Sequence, residues 1–256
     1  MTFETEACRA VGFDLGETLM QYAGIPLNWQ SLYRQALTRV WQACPTRTPL
    51  SDEVLSQSEA VLARYNTRLH PRTVEVSSRQ IFTEVLACWQ AAEFQGDEPH
   101  SVTIARAEDA FFGFFQQEYI VYDDTLAALC LLRESGLKIG VLTDTPYGMD
   151  RRLVERDLTP IAAYIDVTLT SVEVGHRKPA PNGFLALATA LDTPPHRMLY
   201  VGNEPKDIQG ARAAGMRPIL LARETRDAAA ATIPDYGQES TISSLSLLPA
   251  LCGITG

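Results

Sequence analysis

Four polar residues follow apolar or turn-forming segments of the chain, and their chemical types complement one another. Asp14 follows the apolar run Ala10–Phe13. A carboxylate in that position can face a ligand with backbone N–H groups beside it, and such N–H groups bind anions. Thr143 offers a hydroxyl, Lys178 offers a compact positive charge, and Asp207 offers a second carboxylate at a predicted helix start. These groups could hold an anionic ligand.

A sheet is needed to bring these residues together, because they are far apart along the chain. Compact apolar runs separated by helical patterns predict an α/β fold, a Rossmann-like parallel sheet with helices on both faces. Ligands of such sheets bind beyond the carboxyl ends of the strands, where Asp14 and Thr143 are expected to lie. The predicted strands are Ala10–Phe13, Leu137–Leu142, Val167–Thr170, Met198–Val201 and Pro218–Ala222.

Residues 21–123 have a different pattern, with apolar residues three and four positions apart. This spacing predicts long amphipathic helices. The sequence therefore predicts a discontinuous α/β core of residues 1–20 and 124–256, interrupted by an all-α domain of residues 21–123. Near the end of the chain, we expect residues 223–241 to form a loop with an edge strand at Thr232–Ile233. The four predicted helices are Asn28–Ala43, Ser51–Leu69, Ser77–Gln95 and Ser101–Tyr119.

The charge balance limits the classes of partner. The chain has 22 Lys and Arg against 31 Asp and Glu, for a formal charge of −9. Without a basic cluster, binding to a nucleic-acid polymer or an anionic membrane is not expected. The five cysteines have no CxxC spacing and their number is odd, which is typical of reduced thiols. No signal peptide is visible. We therefore expect a cytoplasmic protein, and either a monomer or a homodimer is compatible with the sequence.

The chain resembles the haloacid dehalogenase superfamily of hydrolases, most of which are phosphatases. Counterparts of all four family motifs occur in the family's order, and the helical segment lies where the family has its α-helical cap. The resemblance covers about residues 8–20 and 124–222. The motifs are Phe13-Asp14-Leu15-Gly16-Glu17-Thr18-Leu19, Val141-Leu142-Thr143-Asp144, Gly175-His176-Arg177-Lys178-Pro179-Ala180-Pro181 and Tyr200-Val201-Gly202-Asn203-Glu204-Pro205-Lys206-Asp207.

This resemblance implies a phosphatase mechanism. Asp14 would be the nucleophile that attacks phosphorus and becomes an aspartyl-phosphate. Thr143 and the adjacent Asp144 would hold the phosphoryl oxygens, and Lys178 would neutralise the nucleophile and the transferring group.

The resemblance also implies a cofactor and a substrate class. Mg²⁺ would be bound by Asp14, the main-chain carbonyl of Gly16, Asn203 and Asp207, all of them oxygen ligands of the kind that Mg²⁺ prefers. The substrate would be a small phosphorylated metabolite.

Two positions depart from the family pattern. The family's phosphatases usually have a second Asp two residues after the nucleophile, as general acid and base, and here that residue is Gly16. Glu17, one residue later, is a candidate substitute. Asn203 stands where the family usually has Asp, so it would attract Mg²⁺ less strongly. Two alternatives stay open: a metal-independent hydrolase of the 2-haloacid dehalogenase type, and a catalytically weakened module that binds a phosphate ligand.

Overall fold

The computed structural model describes residues 7–44, 50–90, 100–223 and 235–254. The chain forms two compact units. Unit 1 comprises Met1–Gln21, Ile120–Asp144 and Leu158–Gly256, and unit 2 comprises Tyr22–Tyr119 and Thr145–Asp157. Unit 2 thus includes a segment that the sequence pattern alone attributes to the α/β region. The assignment of residues 21–123 as a cap stays a prediction.

Unit 1 contains a six-stranded sheet in which every pair of neighbouring strands is parallel. The strands of this sheet are β1 (Ala10–Phe13), β4 (Lys138–Thr143), β5 (Val167–Thr170), β6 (Met198–Gly202), β7 (Arg217–Leu221) and β8 (Ser240–Ile242). Their order across the sheet is β5-β4-β1-β6-β7-β8. The predicted α/β fold class of the core is therefore confirmed. Two further strands, β2 (Met20–Tyr22) and β3 (Tyr119–Val121), pair as a separate sheet.

The register of the central strands places the polar segments at one edge of the sheet. Phe13, the last residue of β1, is opposite Val141 of β4 and Val201 of β6. Asp14 follows immediately, and its backbone N–H donates to the carbonyl of Val201 at 2.9 Å. Because the strands are parallel, the segments that follow them all leave the sheet at this same edge.

Helices pack against the strands of unit 1, and two glycines let one of them approach closely. The longest of these helices are α5 (Asp123–Glu134), α8 (Asn182–Ala190) and α9 (Pro205–Ala213), and two are short, α7 (Ser171–Val174) and α10 (Leu248–Leu251). A Cβ atom at Gly12 or Gly140 would lie within 3 Å of the Leu187 side chain. The Leu187 side chain of α8 therefore packs directly on the backbone of β1 and β4.

The end of the chain is where the sequence prediction was least complete. The predicted edge strand Thr232–Ile233 lies outside the described residues. The edge strand that is observed, β8, falls at the end of the predicted loop 223–241 and pairs with β7. Its sequence, Ser-Thr-Ile, has too few apolar residues to be recognised as a strand from its pattern.

Unit 2 is helical and has an aromatic core. The Trp29 indole stacks on Phe115 with a ring-centroid distance of 3.8 Å, and Phe111 packs edge-on against both Phe82 and Phe115. Ser51 caps its helix as the Ser side chain accepts a hydrogen bond from the N–H of Val54 at 3.3 Å. The helices are α1 (Tyr33–Ala43), α2 (Asp52–Tyr65), α3 (Ser78–Gln90), α4 (His100–Phe115) and α6 (Arg151–Leu158).

Two expectations about the whole chain can be compared with the structure. All five cysteines are free thiols, in agreement with their spacing. Among the residues described, no helix combines the length and the apolar character that crossing a bilayer requires.

Candidate active site

The ammonium group of Lys178 is the centre of a buried cluster in unit 1. Its Nζ atom donates to Asp14 Oδ1 at 2.5 Å and to Asp207 Oδ1 at 2.7 Å. A third hydrogen bond, of 3.0 Å, goes to the hydroxyl of Tyr200. The three donors of the ammonium group are thus all used. Three of the four residues singled out first from the sequence meet in this cluster.

Burial and charge act in opposite directions on these groups. Burial opposes the charge of Lys178, but the Asp14 and Asp207 carboxylates outweigh it and hold the pKa of the lysine well above its ordinary value. Burial raises the pKa of Asp14 to about 6, Lys178 opposes this change, and Asp207 adds to it. The raised pKa of Asp14 is therefore mainly an effect of burial, which the positive charge of Lys178 offsets only in part.

Asp207 is held at the start of α9 by the local sequence. Its Oδ2 accepts a hydrogen bond from the backbone N–H of Glu204 at 3.0 Å, which forms part of a capping box. A Cβ atom at Gly202 would stand 2.4 Å from the Asp207 side chain. Glycine is therefore needed at the end of β6 for the fully buried carboxyl group to lie against the backbone.

Tyr200 belongs to the cluster, although sequence reasoning did not select it. Its hydroxyl accepts from Lys178 Nζ and donates to the carbonyl of Leu142 at 2.9 Å, so it links the lysine to β4. The Tyr200 ring packs edge-on against the Phe184 ring, with 4.7 Å between the ring centroids. A Cβ atom at Gly12 would stand 2.7 Å from the Tyr200 ring. A tyrosine inside an apolar strand is the only sequence signal, since a buried phenol usually has a hydrogen-bond partner.

Thr143 and Asp144 end β4 at the same edge of the sheet. Thr143 is buried and is opposite Thr170 of β5. Asp144 Oδ1 accepts from the backbone N–H of Lys178 at 3.1 Å, and its Oδ2 lies 3.4 Å from Lys206 Nζ. The Asp144 side chain therefore fixes the loop that carries Lys178, and its role in holding phosphoryl oxygens stays a prediction.

Glu17 lies at this edge too, but its described hydrogen bonds are to residues outside the cluster around Lys178. The Tyr122 hydroxyl donates to Glu17 Oε2 at 3.1 Å, and the Glu17 N–H donates to the carbonyl of Met20 at 2.7 Å. Its φ of 58° is uncommon for a residue other than glycine. A Cβ at the preceding Gly16 would meet nothing within 4 Å. There is thus space for a side chain at position 16, where the sequence has glycine.

The oxygen atoms at this edge fit a hard divalent cation. Asp14 and Asp207 supply carboxylates, Gly16 supplies a carbonyl, and Asn203 supplies an amide oxygen that accepts from Thr18 Oγ1 at 3.3 Å. These are the ligand types that Mg²⁺ prefers, and the two carboxylates favour a cation. Within the described part of the chain, no group of three or more His, Cys, Asp or Glu side chains could hold a metal ion by itself. An amide and a carbonyl would therefore have to complete the ligand set.

Comparison with known proteins gives the family. The chain is 28% identical over 218 residues to a glyceraldehyde 3-phosphate phosphatase of Methanopyrus kandleri, with 84% of each chain covered. It is 29% identical over 244 residues to a phosphoserine phosphatase of Thermus thermophilus, covering 89% of this chain and 86% of the relative.

The solved structures show the same fold. A 2-haloacid dehalogenase of Pseudomonas syringae pv. Tomato superposes with a TM-score of 0.62 at 22% identity, covering 96% of this chain and 98% of that one. The model of the haloacid dehalogenase-like hydrolases matches residues 8–215, which include all four motifs and the cluster around Lys178. The chain therefore belongs to the haloacid dehalogenase-like hydrolase family.

Proposed function

We propose that the protein is a Mg²⁺-dependent phosphomonoesterase that acts on small phosphorylated metabolites through an aspartyl-phosphate intermediate. The observation that carries this proposal is the hydrogen-bonded set of Asp14, Lys178 and Asp207 at the carboxyl edge of a parallel sheet. The two relatives described above are named as phosphatases of different small phosphoesters. The proposal therefore names a substrate class and no single substrate.

The chemistry begins at Asp14. One of its carboxylate oxygens attacks the phosphorus atom, the bond from phosphorus to the ester oxygen breaks, and the leaving alcohol takes up a proton. Water then attacks the phosphorus of the aspartyl-phosphate, which releases inorganic phosphate and restores the carboxylate. A carboxylate needs no base to activate it in the first step, and splitting the reaction replaces one difficult step by two easier ones.

Lys178 and Thr143 would stabilise the transferring group. Lys178 Nζ is held 2.5 Å from Asp14 Oδ1, so its positive charge is next to the carboxylate that would receive the phosphoryl group. A fixed positive charge placed where negative charge develops is a large source of rate enhancement. The Thr143 hydroxyl and the backbone beside it would bind the phosphoryl oxygens.

Asp14, Asp207, Asn203 and the Gly16 carbonyl would hold Mg²⁺. When bound, the ion supplies the positive charge that lets a phosphate dianion approach two carboxylates. Because Asn203 stands in place of an acid, this ligand set carries less negative charge than an all-carboxylate set. Its affinity for the ion is therefore predicted to be weaker.

Glu17 is the proposed source of proton transfer, in place of the acid that is missing at Gly16. Its carboxylate is within one residue of that position, and Tyr122 holds it through a hydrogen bond. General acid–base catalysis contributes about 10²- to 10⁴-fold in rate. A Glu17→Gln variant that retains full activity would show that Glu17 has no part in proton transfer.

A panel of phosphomonoesters tests the proposal. p-Nitrophenyl phosphate and small sugar, hydroxy-acid and amino-acid phosphates are assayed with Mg²⁺ and with EDTA. We expect phosphate release that requires Mg²⁺ and that disappears in Asp14→Asn. Asp192→Asn is the matched control, because the Asp192 side chain is fully exposed and lies outside the cluster.

The two alternatives predict other results in the same experiment. Release of halide from 2-chloropropionate that EDTA does not affect would favour a 2-haloacid dehalogenase-type hydrolase. A rise in Tm with phosphate ligands, without turnover of any of them, would favour a binding module. The cytoplasmic location and the monomeric or homodimeric state stay predictions.

A further inference from the structure

Arg223 lies two residues after β7, at the same edge of the sheet as Asp14. Its guanidinium group donates to both carboxylate oxygens of Asp124, with distances of 3.0 Å from Nη1 to Oδ2 and 2.9 Å from Nη2 to Oδ1. Nη2 also donates to the main-chain carbonyl of Thr18 at 2.8 Å. Arg223 therefore joins the end of β7 to the start of α5 and to the chain that follows Asp14, although it belongs to none of the four motifs.

The Asp124 carboxylate gives Arg223 a fixed partner. Asp124 Oδ2 accepts two further hydrogen bonds, from Ser244 Oγ at 2.7 Å and from the backbone N–H of Leu245 at 2.8 Å. Burial opposes the charge of Asp124, but these hydrogen bonds and those from Arg223 outweigh burial and hold the pKa of Asp124 below its ordinary value. The carboxylate is therefore ionised at neutral pH, and its paired hydrogen bonds fix the orientation of the planar guanidinium group.

The same guanidinium group acts on the turn of residues 15–20 from two sides of Glu17. On the backbone side, the carbonyl that accepts from Nη2 belongs to Thr18, the residue that follows Glu17. On the side-chain side, Arg223 Cζ lies 3.9 Å from the centroid of the Tyr122 ring, and the hydroxyl of that ring donates to Glu17 Oε2 at 3.1 Å. A guanidinium group at this distance attracts an aromatic ring. One cation therefore constrains both the backbone and the carboxylate of Glu17.

The 15–20 turn has a strained backbone whose hydrogen bonds converge on one atom. The carbonyl of Leu15 accepts from three N–H groups of this turn, those of Thr18, Leu19 and Met20, at 3.3, 2.9 and 3.3 Å. Glu17 has a φ of 58°, in the left-handed region that is unfavourable for a residue with a side chain. Such a conformation persists only where the surrounding structure fixes it. The contacts that Arg223 makes on both sides of Glu17 supply this constraint.

We propose that Arg223 is a positioning residue for Glu17, acting through the Tyr122 ring and through the peptide group that follows Glu17. Its role is to keep the Glu17 carboxylate in place and not to transfer a proton, because a guanidinium group stays protonated in proteins. The inference rests on the proposed function, in which Glu17 takes the place of the acid that is missing at Gly16. A displacement of about 1 Å from the productive position can cost about 10²-fold in rate, so a residue outside the reaction centre can have a large effect.

Hydrogen exchange measures the effect of Arg223 on the turn without any substrate. Arg223→Met removes the guanidinium group and keeps a long, unbranched side chain. We expect the N–H groups of Glu17, Leu19 and Met20 to exchange about tenfold faster, which is the factor for loss of a hydrogen bond to a charged group. Mass spectrometry of peptides from the full chain that cover residues 14–22 measures this rate. A peptide that covers β6 reports global unfolding, and its exchange should accelerate less than that of the turn.

Arg217 offers a matched control at the opposite end of β7. It forms a paired contact with Glu239, from Nε to Oε2 at 2.8 Å and from Nη2 to Oε1 at 2.5 Å. Arg217→Met therefore removes a comparable ion pair from unit 1 and should leave exchange in the 15–20 turn unchanged. Arg223→Lys keeps a positive charge beside the Tyr122 ring but cannot form the paired hydrogen bonds, so its exchange rate should be intermediate.

Steady-state kinetics connects the turn to catalysis. With Mg²⁺ and the best phosphomonoester, Arg223→Met should lower kcat by about 10- to 100-fold and leave KM within about twofold, and Arg223→Lys should restore part of the loss. In a Glu17→Gln background the same Arg223→Met change should lower kcat by less than about threefold, because the carboxylate that Arg223 positions is already absent. A general structural defect would lower kcat equally in both backgrounds.

Two results would overturn the inference. One is exchange in the turn that accelerates no more in Arg223→Met than in Arg217→Met, and the other is an equal loss of kcat with and without the Glu17 carboxylate. If Arg223→Met accelerates β6 as much as the turn, Arg223→Lys decides, because acceleration confined to the turn supports the inference and equal acceleration overturns it. A faster turn in Arg223→Met, with no phosphate release by the natural chain, would overturn the phosphatase proposal and support the constraint that Arg223 places on the turn.

Discussion

Replacing Tyr200 by phenylalanine removes one oxygen atom from the cluster around Lys178. The ring would keep its contacts with Phe184 and with the backbone at Gly12, because only the hydroxyl is lost. The Lys178 ammonium would lose its third acceptor, and the carbonyl of Leu142 would lose a donor at 2.9 Å. The substitution therefore tests whether the buried lysine depends on Tyr200 for its position.

The magnitude follows from the two hydrogen bonds. A hydrogen bond to a charged group contributes about 1.5–3 kcal/mol to stability, and one between neutral groups contributes about 1 kcal/mol. We therefore expect Tyr200→Phe to lower the free energy of unfolding by roughly 2–4 kcal/mol. For a chain of this size, 1 kcal/mol corresponds to about 2–4 °C in Tm, so the Tm should fall by roughly 4–16 °C.

The effect on catalysis should differ from that of a general loss of stability. A lysine that is free to move would stabilise the transferring phosphoryl group less, while ground-state binding of the substrate would change little. We expect kcat to fall about tenfold and KM to stay within about twofold of its original value, which is the pattern for an interaction made in the transition state.

Urea unfolding followed by far-UV circular dichroism, together with steady-state kinetics on the best phosphomonoester, measures both effects. Tyr164→Phe is the control, because it removes a phenol hydroxyl in unit 1 that is outside the cluster. A loss of stability below about 0.5 kcal/mol would refute the proposed hydrogen-bond contribution, since it lies well under the smallest value expected. A change in KM with kcat unaltered would refute the positioning of Lys178 by Tyr200.

Two further substitutions test the chemistry at Gly16 and the burial of an acid in unit 2. Gly16→Asp introduces an acid where a Cβ meets nothing within 4 Å, and we expect kcat to rise, by up to about 10²-fold if proton transfer limits the rate. Gly16→Asn, of the same size but unable to transfer a proton, should give no such rise, and equal rates in the two variants would contradict the reasoning. Burial raises the pKa of Asp157 above the ordinary pKa of a carboxyl group. The protonated Asp157 side chain therefore stabilises the fold at acidic pH, and this stabilisation is lost as the pH rises above that ordinary pKa. Relative to Asp157→Asn, the natural chain should lose stability by up to about 1.4 kcal/mol per pH unit within that window, and parallel curves between pH 4 and pH 7 would show that Asp157 does not titrate in this way.

The central strands could be predicted closely from the sequence because nearly all of their residues are buried. The predicted strand Ala10–Phe13 has the observed bounds, and the predicted strand 137–142 differs from β4 by one residue at each end. Continuous apolar runs of this length are typical of parallel strands. The two edge strands have weaker patterns: Val167–Thr170 is only partly buried and was predicted with the observed bounds, whereas β8 was not recognised.

The candidate site could be predicted only for residues whose chemical type reveals a function. A carboxylate or lysine beside an apolar strand is unusual enough to stand out, so Asp14, Lys178 and Asp207 were selected. Tyr200 was not selected, and Asp144 was selected only to hold phosphoryl oxygens, because the contacts of both residues with Lys178 join positions far apart in the sequence. Such pairings are decided by strand order and register, which composition and spacing do not contain.

The net charge of −9 is a poor guide to the potential at Asp14. Charges on the surface are screened beyond about 8 Å at physiological salt, whereas buried neighbours at hydrogen-bond distance interact almost without screening. Lys178 forms ion pairs with both Asp14 and Asp207, and Lys206, which also attracts Asp14, is paired with Asp144 and Glu204. We therefore expect a phosphate dianion to need a further cation in order to approach these two carboxylates. For this reason the dependence on Mg²⁺ should be strict in this protein, and a rate that survives EDTA would contradict the charge argument as well as the proposed cofactor.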